Sequence, residues 1–67
     1  MPRGSHHDET GVFALEHDQL VLLRDQGGRW RLDAPTRAEI HVGQRMRITG
    51  VRSGFDWLDV TSFTPVA

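Results

Sequence analysis

Apolar and polar positions alternate along most of this chain in short runs, and Gly, Pro or small polar clusters separate the runs. The first run, Thr10–Glu16, opens at Gly11 and carries Val12, Phe13, Ala14 and Leu15 without clean alternation. That predicts a strand partly covered on both faces. His17, Asp18 and Gln19 form a polar link to a second strand, Leu20–Arg24, and two runs joined this briefly predict a hairpin. Gly27 and Gly28 supply a turn into a third strand, Arg29–Asp33, which sets Trp30 and Leu32 on one face and Arg29 and Arg31 on the other. Pro35 stops that strand. Thr36–Ile40 predicts one helical turn, too short to be stable alone. A turn over residues 41–44 leads to a fourth strand, Arg45–Arg52, with Met46 and Ile48 opposing Arg45, Arg47 and Thr49. Gly50 falls in the interior register and predicts a bend or bulge. After Ser53 and Gly54 a fifth strand, Phe55–Phe63, sets Leu58 and Val60 against Trp57, Asp59 and Thr61.

Short strands with turns roughly every eight to twelve residues indicate a sandwich or a barrel, and 67 residues are too few for a sandwich. A hairpin, a third strand, a crossover holding a helical turn and two final strands follow the order of an OB-type barrel. The expectation is therefore an all-β fold, a small five-stranded OB-like barrel with one short helical turn in the crossover. The alternative is an SH3-like barrel, which differs in how strands three and four connect. Residues 10–64 form the single domain, and residues 1–9, polar and aperiodic, read as a flexible arm. The expected core is Val12, Leu15, Leu20, Leu22, Trp30, Leu32, Ile40, Val42, Met46, Ile48, Leu58 and Val60.

Composition narrows the function classes. No Cys occurs, which removes disulfides and thiolate metal sites and suits a reducing compartment. The N-terminal residues lack the apolar run of a signal peptide, and no stretch approaches the ~20 apolar residues of a membrane helix, so the cytoplasm is the expected location. The net charge of −1 hides an asymmetry: residues 24–55 hold seven of the eight Arg, and Lys is absent. Residues 24–55 sum to +4, against −3 for residues 1–23 and −2 for residues 56–67.

The concentration of Arg defines the first functional reading. Arg29, Arg31, Arg45, Arg47 and Arg52, with Trp57 as a stacking platform, suit a module that binds single-stranded nucleic acid through a basic groove. Strands three and four need not be neighbours in this order, so the Arg residues can fall into two patches. A pI near 6.4 weighs against it, since nucleic-acid modules are commonly strongly basic. The second reading is a protein-interaction or homo-oligomerising module that pairs through a strand edge or the apolar last strand. A third possibility is that Asp residues neutralise the Arg one by one and leave a solvated face; a bridge from Asp59 to a neighbouring Arg is the expectation there. His6, His7, Asp8 and Glu9 carry metal-ligating atoms, but adjacent ligands on a flexible arm lack preorganisation, so no metal site is expected. No nucleophile-elbow or P-loop pattern is present, and neither catalysis nor a cofactor is expected.

The segments HDETG (7–11), GGRWRLDAP (27–35), VGQRMRITG (42–50) and VRSGFDWLDV (51–60) together resemble a family of short alphaproteobacterial proteins known only as a domain of unknown function. The resemblance spans nearly the whole chain and is carried most specifically by RWRLDAP paired with RSGFDWLDV. It implies an OB-like barrel in a bacterial cytoplasm. It brings no activity and no catalytic residue.

Overall fold

The computed structural model describes residues 4–66. The strands are β1 (His6–Glu16), β2 (Gln19–Arg24), β3 (Arg29–Asp33), β4 (Arg45–Arg52) and β5 (Trp57–Pro65), and a 3-10 turn, Thr36–His41, lies between β3 and β4. They close into a ring in the order β1-β2-β3-β5-β4. The β3–β5 pair is parallel, and all the other pairs are antiparallel.

Strand β1 closes the ring because it serves two neighbours. Its first part, His6–Val12, pairs with β4, and its second part, Gly11–Glu16, pairs with β2. The two pairings overlap at Gly11 and Val12, and at Gly11 backbone approaches backbone: a Cβ built there would sit 2.1 Å from the Leu23 carbonyl oxygen. The β1–β2 hairpin turns on His17 and Asp18 alone, with φ of 53° and 65°. Two left-handed central residues match the twist of the flanking strands, and His and Asp tolerate that region better than most side chains.

The strand begins at His6, earlier than the hydrophobic pattern predicts, so residues 6–9 of the expected arm belong to the sheet. Those four residues are polar and carry no apolar signal. Backbone pairing to β4 and the ion pairs described below hold them. Residues 1–3 lie outside the described part. At the other end β5 runs from Trp57 to Pro65, shifted from the expected Phe55–Phe63.

The core consists of Phe13, Leu20, Leu22, Leu32, Ala38, Met46, Ile48 and Leu58, with Trp30, Ala34, Val60 and Phe63 packed against it. Four expected core residues need correction. Ile40 is 76% exposed, and Leu15 and Val42 are also exposed. Val12 is half-buried, with the outward parity of its register partners Leu23 and Arg45. The 3-10 turn buries one side chain, Ala38, whose N–H donates to the Pro35 carbonyl at 2.9 Å. Ile40 then points away from the barrel, because at three residues per turn Ala38 and the half-buried His41 share the inward side and Ile40 falls between them. Leu15 keeps the inward parity of Phe13 but stands next to the hairpin turn and stays exposed, although its partner Leu20 is packed in the core.

Phe63 reaches the core for a different reason. Register shifts by one residue between Thr49 and Gly50, so Thr49 faces Ser62 whereas Gly50 faces Val60. Thr61 is the extra residue. The bulge predicted from Gly50 thus reverses the parity of the rest of β5 and turns Phe63 inward, opposite Ile48.

Candidate binding surfaces

Outward parity places Ala14, Val21, Arg31 and Trp57 in one row across β1, β2, β3 and β5. Arg45 and Arg47 project from β4, beside Val12 and Thr10 of β1. Because β5 lies between β3 and β4, the Arg residues form two separate sets rather than one stripe.

Each set is neutralised locally. On the first, Arg29 meets Glu16 at 2.8 Å, and Arg31 holds Asp56 through both carboxylate oxygens, the shortest contact being 2.6 Å. On the second, Arg45 pairs with Asp25, Arg47 holds Asp8 through both oxygens, and Arg24 meets Glu9 at 3.2 Å. Hydrogen bonds from Arg47 and Arg31 lower the carboxyl pKa of Asp8 and Asp56 respectively. The same kind of bond, to Asp25 and Asp8, raises the guanidinium pKa of Arg45 and Arg47. Arg52 is occupied differently: its Nε and Nη2 donate to the carbonyls of Gly54 and Phe55, both at 2.9 Å.

Trp57 is half-buried rather than a free platform. The Arg31 guanidinium lies over its ring, 4.4 Å from the centroid, and Gly54 packs against the ring so closely that a Cβ there would meet it at 3.1 Å. All six residues expected to bind nucleic acid therefore already have partners within the chain.

Four carboxylates are left over. Asp18, Asp33, Glu39 and Asp59 have no cation within ion-pairing distance among the described residues. The expected bridge from Asp59 to a neighbouring Arg does not form. Instead Asp59 stands directly opposite Asp33 in the parallel β3–β5 register, and both are exposed. Like charges in that position disfavour the pairing. This opposition has a faint trace in the sequence, where Arg31-Leu32-Asp33 and Trp57-Leu58-Asp59 share a Leu-Asp pair. An open groove of about 380 Å³ adjoins Asp33, lined by Asp18, Gln19, Asp33, Ala34, Glu39 and Trp57, with Leu20 and Leu32 buried behind them.

The loop joining β4 to β5 presents the most exposed aromatic, Phe55, at 88%. The loop itself is well tied. Besides the two Arg52 bonds, Ser53 N–H donates to the Trp57 carbonyl at 3.0 Å, and Arg31 N–H to the Asp56 carbonyl at 2.8 Å. Near the opposite rim, Leu15, Ile40 and Val42 are exposed as well. Among the described residues no three His, Asp or Glu side chains gather as a metal site, and no helix is long and apolar enough to cross a membrane.

Comparison with curated proteins and with solved structures gave no match. The model of one protein family, described as a protein of unknown function (DUF5818), matches residues 10–66. That match covers nearly all of the barrel, and the chain belongs to this family.

Proposed function

We propose that this domain is an OB-type barrel that works as a protein-docking module rather than as a nucleic-acid binder or a catalyst. The ring order supports the OB assignment. A hairpin whose first strand also pairs β4, a parallel β3–β5 closure and a crossover carrying a helical turn favour it over an SH3-like barrel. The absence of Cys suits a reducing setting such as a bacterial cytoplasm.

One observation carries the functional reading: every expected phosphate-binding Arg already faces a carboxylate or a backbone carbonyl. Phosphate binding gains its affinity by neutralising charge and releasing counterions. Exposed ion pairs are individually weak, so a phosphate can displace a carboxylate. The displaced carboxylate still remains beside the phosphate, however, and the local field stays neutral or acidic. Ring closure gives every strand two neighbours over part of its length and leaves only part-strand edges, such as residues 60–65 of β5 beyond its pairing with β3, so a protein partner meets side chains more than backbone.

A second reading, single-stranded nucleic acid, keeps one specific observation in its favour. Arg31 on β3, Phe55 in the β4–β5 loop and Trp57 at the start of β5 sit close to where OB barrels hold oligonucleotides. An amide NMR titration with a mixed single-stranded oligonucleotide, at low and at physiological salt, separates the two. Protein docking predicts shifts that are absent or vanish with modest salt. Shifts on Arg29, Arg31, Phe55 and Trp57 that persist at physiological salt would establish the nucleic-acid reading instead.

A further inference from the structure

Strand β5 outlasts one of its two neighbours. It pairs with β4 as far as Pro65, but with β3 only from Trp57 to Asp59. Residues 60–65 therefore have a partner strand on one side alone. Val66 N–H donates to the Arg45 carbonyl at 2.9 Å. By the alternation of an antiparallel ladder, Thr64 also turns its backbone groups to β4, and Phe63 turns its N–H and C=O to the open side. No backbone bond meets them there among the described residues. Residues 60–65 hold no charged side chain, and a charge is one of the usual guards of a strand edge.

A groove of about 460 Å³ follows this edge, lined by Val60, Thr61, Ser62 and Phe63 of β5 and by Pro35 and Arg37 at the 3-10 turn. Arg37 is a second unmet group. Every other Arg among the described residues meets a carboxylate or a backbone carbonyl. Arg37 has neither, and its guanidinium lies over the Phe63 ring, 5.7 Å from the centroid. That contact holds the charge beside the groove and leaves its N–H donors free. No Asp or Glu lines the groove.

We propose, resting on the protein-docking reading above, that this groove receives an extended segment of a partner protein that carries an Asp or Glu. The segment's backbone bonds to the N–H and C=O of Phe63, and its carboxylate meets Arg37. The two unmet groups select that occupant. An extended backbone offers a donor and an acceptor at the spacing of a strand edge, and a carboxylate matches the guanidinium fork. A second copy of this chain fits less well. Its β5 edge brings its own 3-10 turn alongside, and Pro65 and the bulge at Thr61 keep the edge short. Because the backbone bonds on offer are few, the carboxylate supplies a large share of the affinity.

The test is an amide NMR titration of the labelled full chain with short blocked peptides of alternating valine and threonine. One carries a central glutamate and a second has glutamine in its place. Two more keep the glutamate, with one or the other alternate set of backbone amides methylated. The expected result is that the glutamate peptide shifts Arg37, Thr61, Ser62 and Phe63, and that the glutamine peptide and Arg37→Ala each weaken binding about tenfold. Methylating one set of amides abolishes binding and methylating the other does not, because a strand pairs by one edge at a time. Arg37→Ala melts with the parent, since Arg37 is exposed and unpaired among the described residues, which separates lost binding from lost folding. Shifts that are absent, that centre elsewhere, or that are undiminished by the glutamine or by both methylated sets overturn the assignment of this groove and leave the docking reading standing. Free protein whose Thr61, Ser62 and Phe63 amides shift on dilution, with a dimer in sedimentation, overturns it as well by giving the edge to a second copy. A mixed single-stranded oligonucleotide that moves Arg29, Arg31, Phe55 and Trp57 at physiological salt overturns the docking reading itself.

Discussion

Gly11→Ala tests the account of ring closure most directly. Gly11 is buried in β1, faces Arg24 of β2 and Met46 of β4, and takes part in both pairings. A Cβ would lie 2.1 Å from the Leu23 carbonyl oxygen, 2.8 Å from its carbon and 3.0 Å from the Arg24 Cα, where ordinary contact begins at 3.4 Å. The shortfall to the oxygen is about 1.3 Å, and all three atoms are backbone, so no side-chain rotation relieves it. The strands must separate, which loosens the neighbouring Val12–Leu23 pairing. Overpacking costs about 1–3 kcal/mol when side chains can adjust, so the upper end, about 3 kcal/mol, applies here. A domain of 67 residues has roughly 3–10 kcal/mol in total at typical stability per residue. The substitution therefore brings the barrel close to unfolding and lowers its melting temperature by roughly 12–24 °C. Urea denaturation followed by the fluorescence of Trp30 and Trp57 measures the loss. A loss below about 1 kcal/mol with an unchanged denaturant slope would refute the view that β1 is pinched between two strands at Gly11.

Other outcomes follow from the same geometry. Asp8 and Asp56 have folded-state pKa values below the ordinary 3.8, owing to hydrogen bonds from Arg47 and Arg31. Their contribution to stability is full above that ordinary value and is lost as pH falls through the lower folded-state values. Urea midpoints compared at neutral pH and at pH near 3 should show a steeper acid loss in the parent than in Asp8→Asn/Asp56→Asn. Ala38→Leu should destabilise by about 1–3 kcal/mol through overpacking, whereas Ile40→Ser should stay within about 0.5 kcal/mol; the reverse order would move the plug of the barrel from Ala38 to Ile40. Arg52→Ala removes two charge-assisted bonds from the β4–β5 loop, each worth about 1.5–3 kcal/mol. Faster amide exchange at Ser53, whose N–H donates to the Trp57 carbonyl, with β1–β2 protection retained, is the expected signature.

The features legible in the sequence were those written in short, clean alternations. Arg29–Asp33 and Arg45–Arg52 appear as strands with the expected bounds, since Trp30 and Leu32, then Met46 and Ile48, set the parity without interruption. What eluded the pattern has particular causes. His6–Glu9 enter the sheet through backbone pairing to β4, with Asp8 and Glu9 also held by Arg, and leave no hydrophobic trace. Phe63 has the wrong parity until the Thr61 bulge corrects it. Two 3-10 turns are too short a run to show a period that would tell Ala38 from Ile40.

The candidate surface divided in the same way. Strand parity put the Arg residues outward, which four of them, Arg29, Arg31, Arg45 and Arg47, are. Their partners could not be read off, because Asp8 meets Arg47 and Arg31 meets Asp56 only once the ring order is known. The unpaired carboxylates emerged by subtraction, after the paired ones had been assigned.

The dual service of β1 also sets a timetable for folding. Its pairing with β2 joins neighbours across a two-residue turn, as between Glu16 and Gln19, and a hairpin of this kind forms within roughly 1–10 μs. Its pairing with β4 joins residues far apart in the chain, as between His6 and Val51, and must await a far larger loop. On the ribosome the hairpin emerges before its β4 partner does. Until β4 emerges, the polar first half of β1 waits in water, where its lack of apolar side chains gives it little to aggregate with. The same polarity that hides this half-strand from a hydrophobic pattern makes it a safe segment to hold open until the barrel can shut.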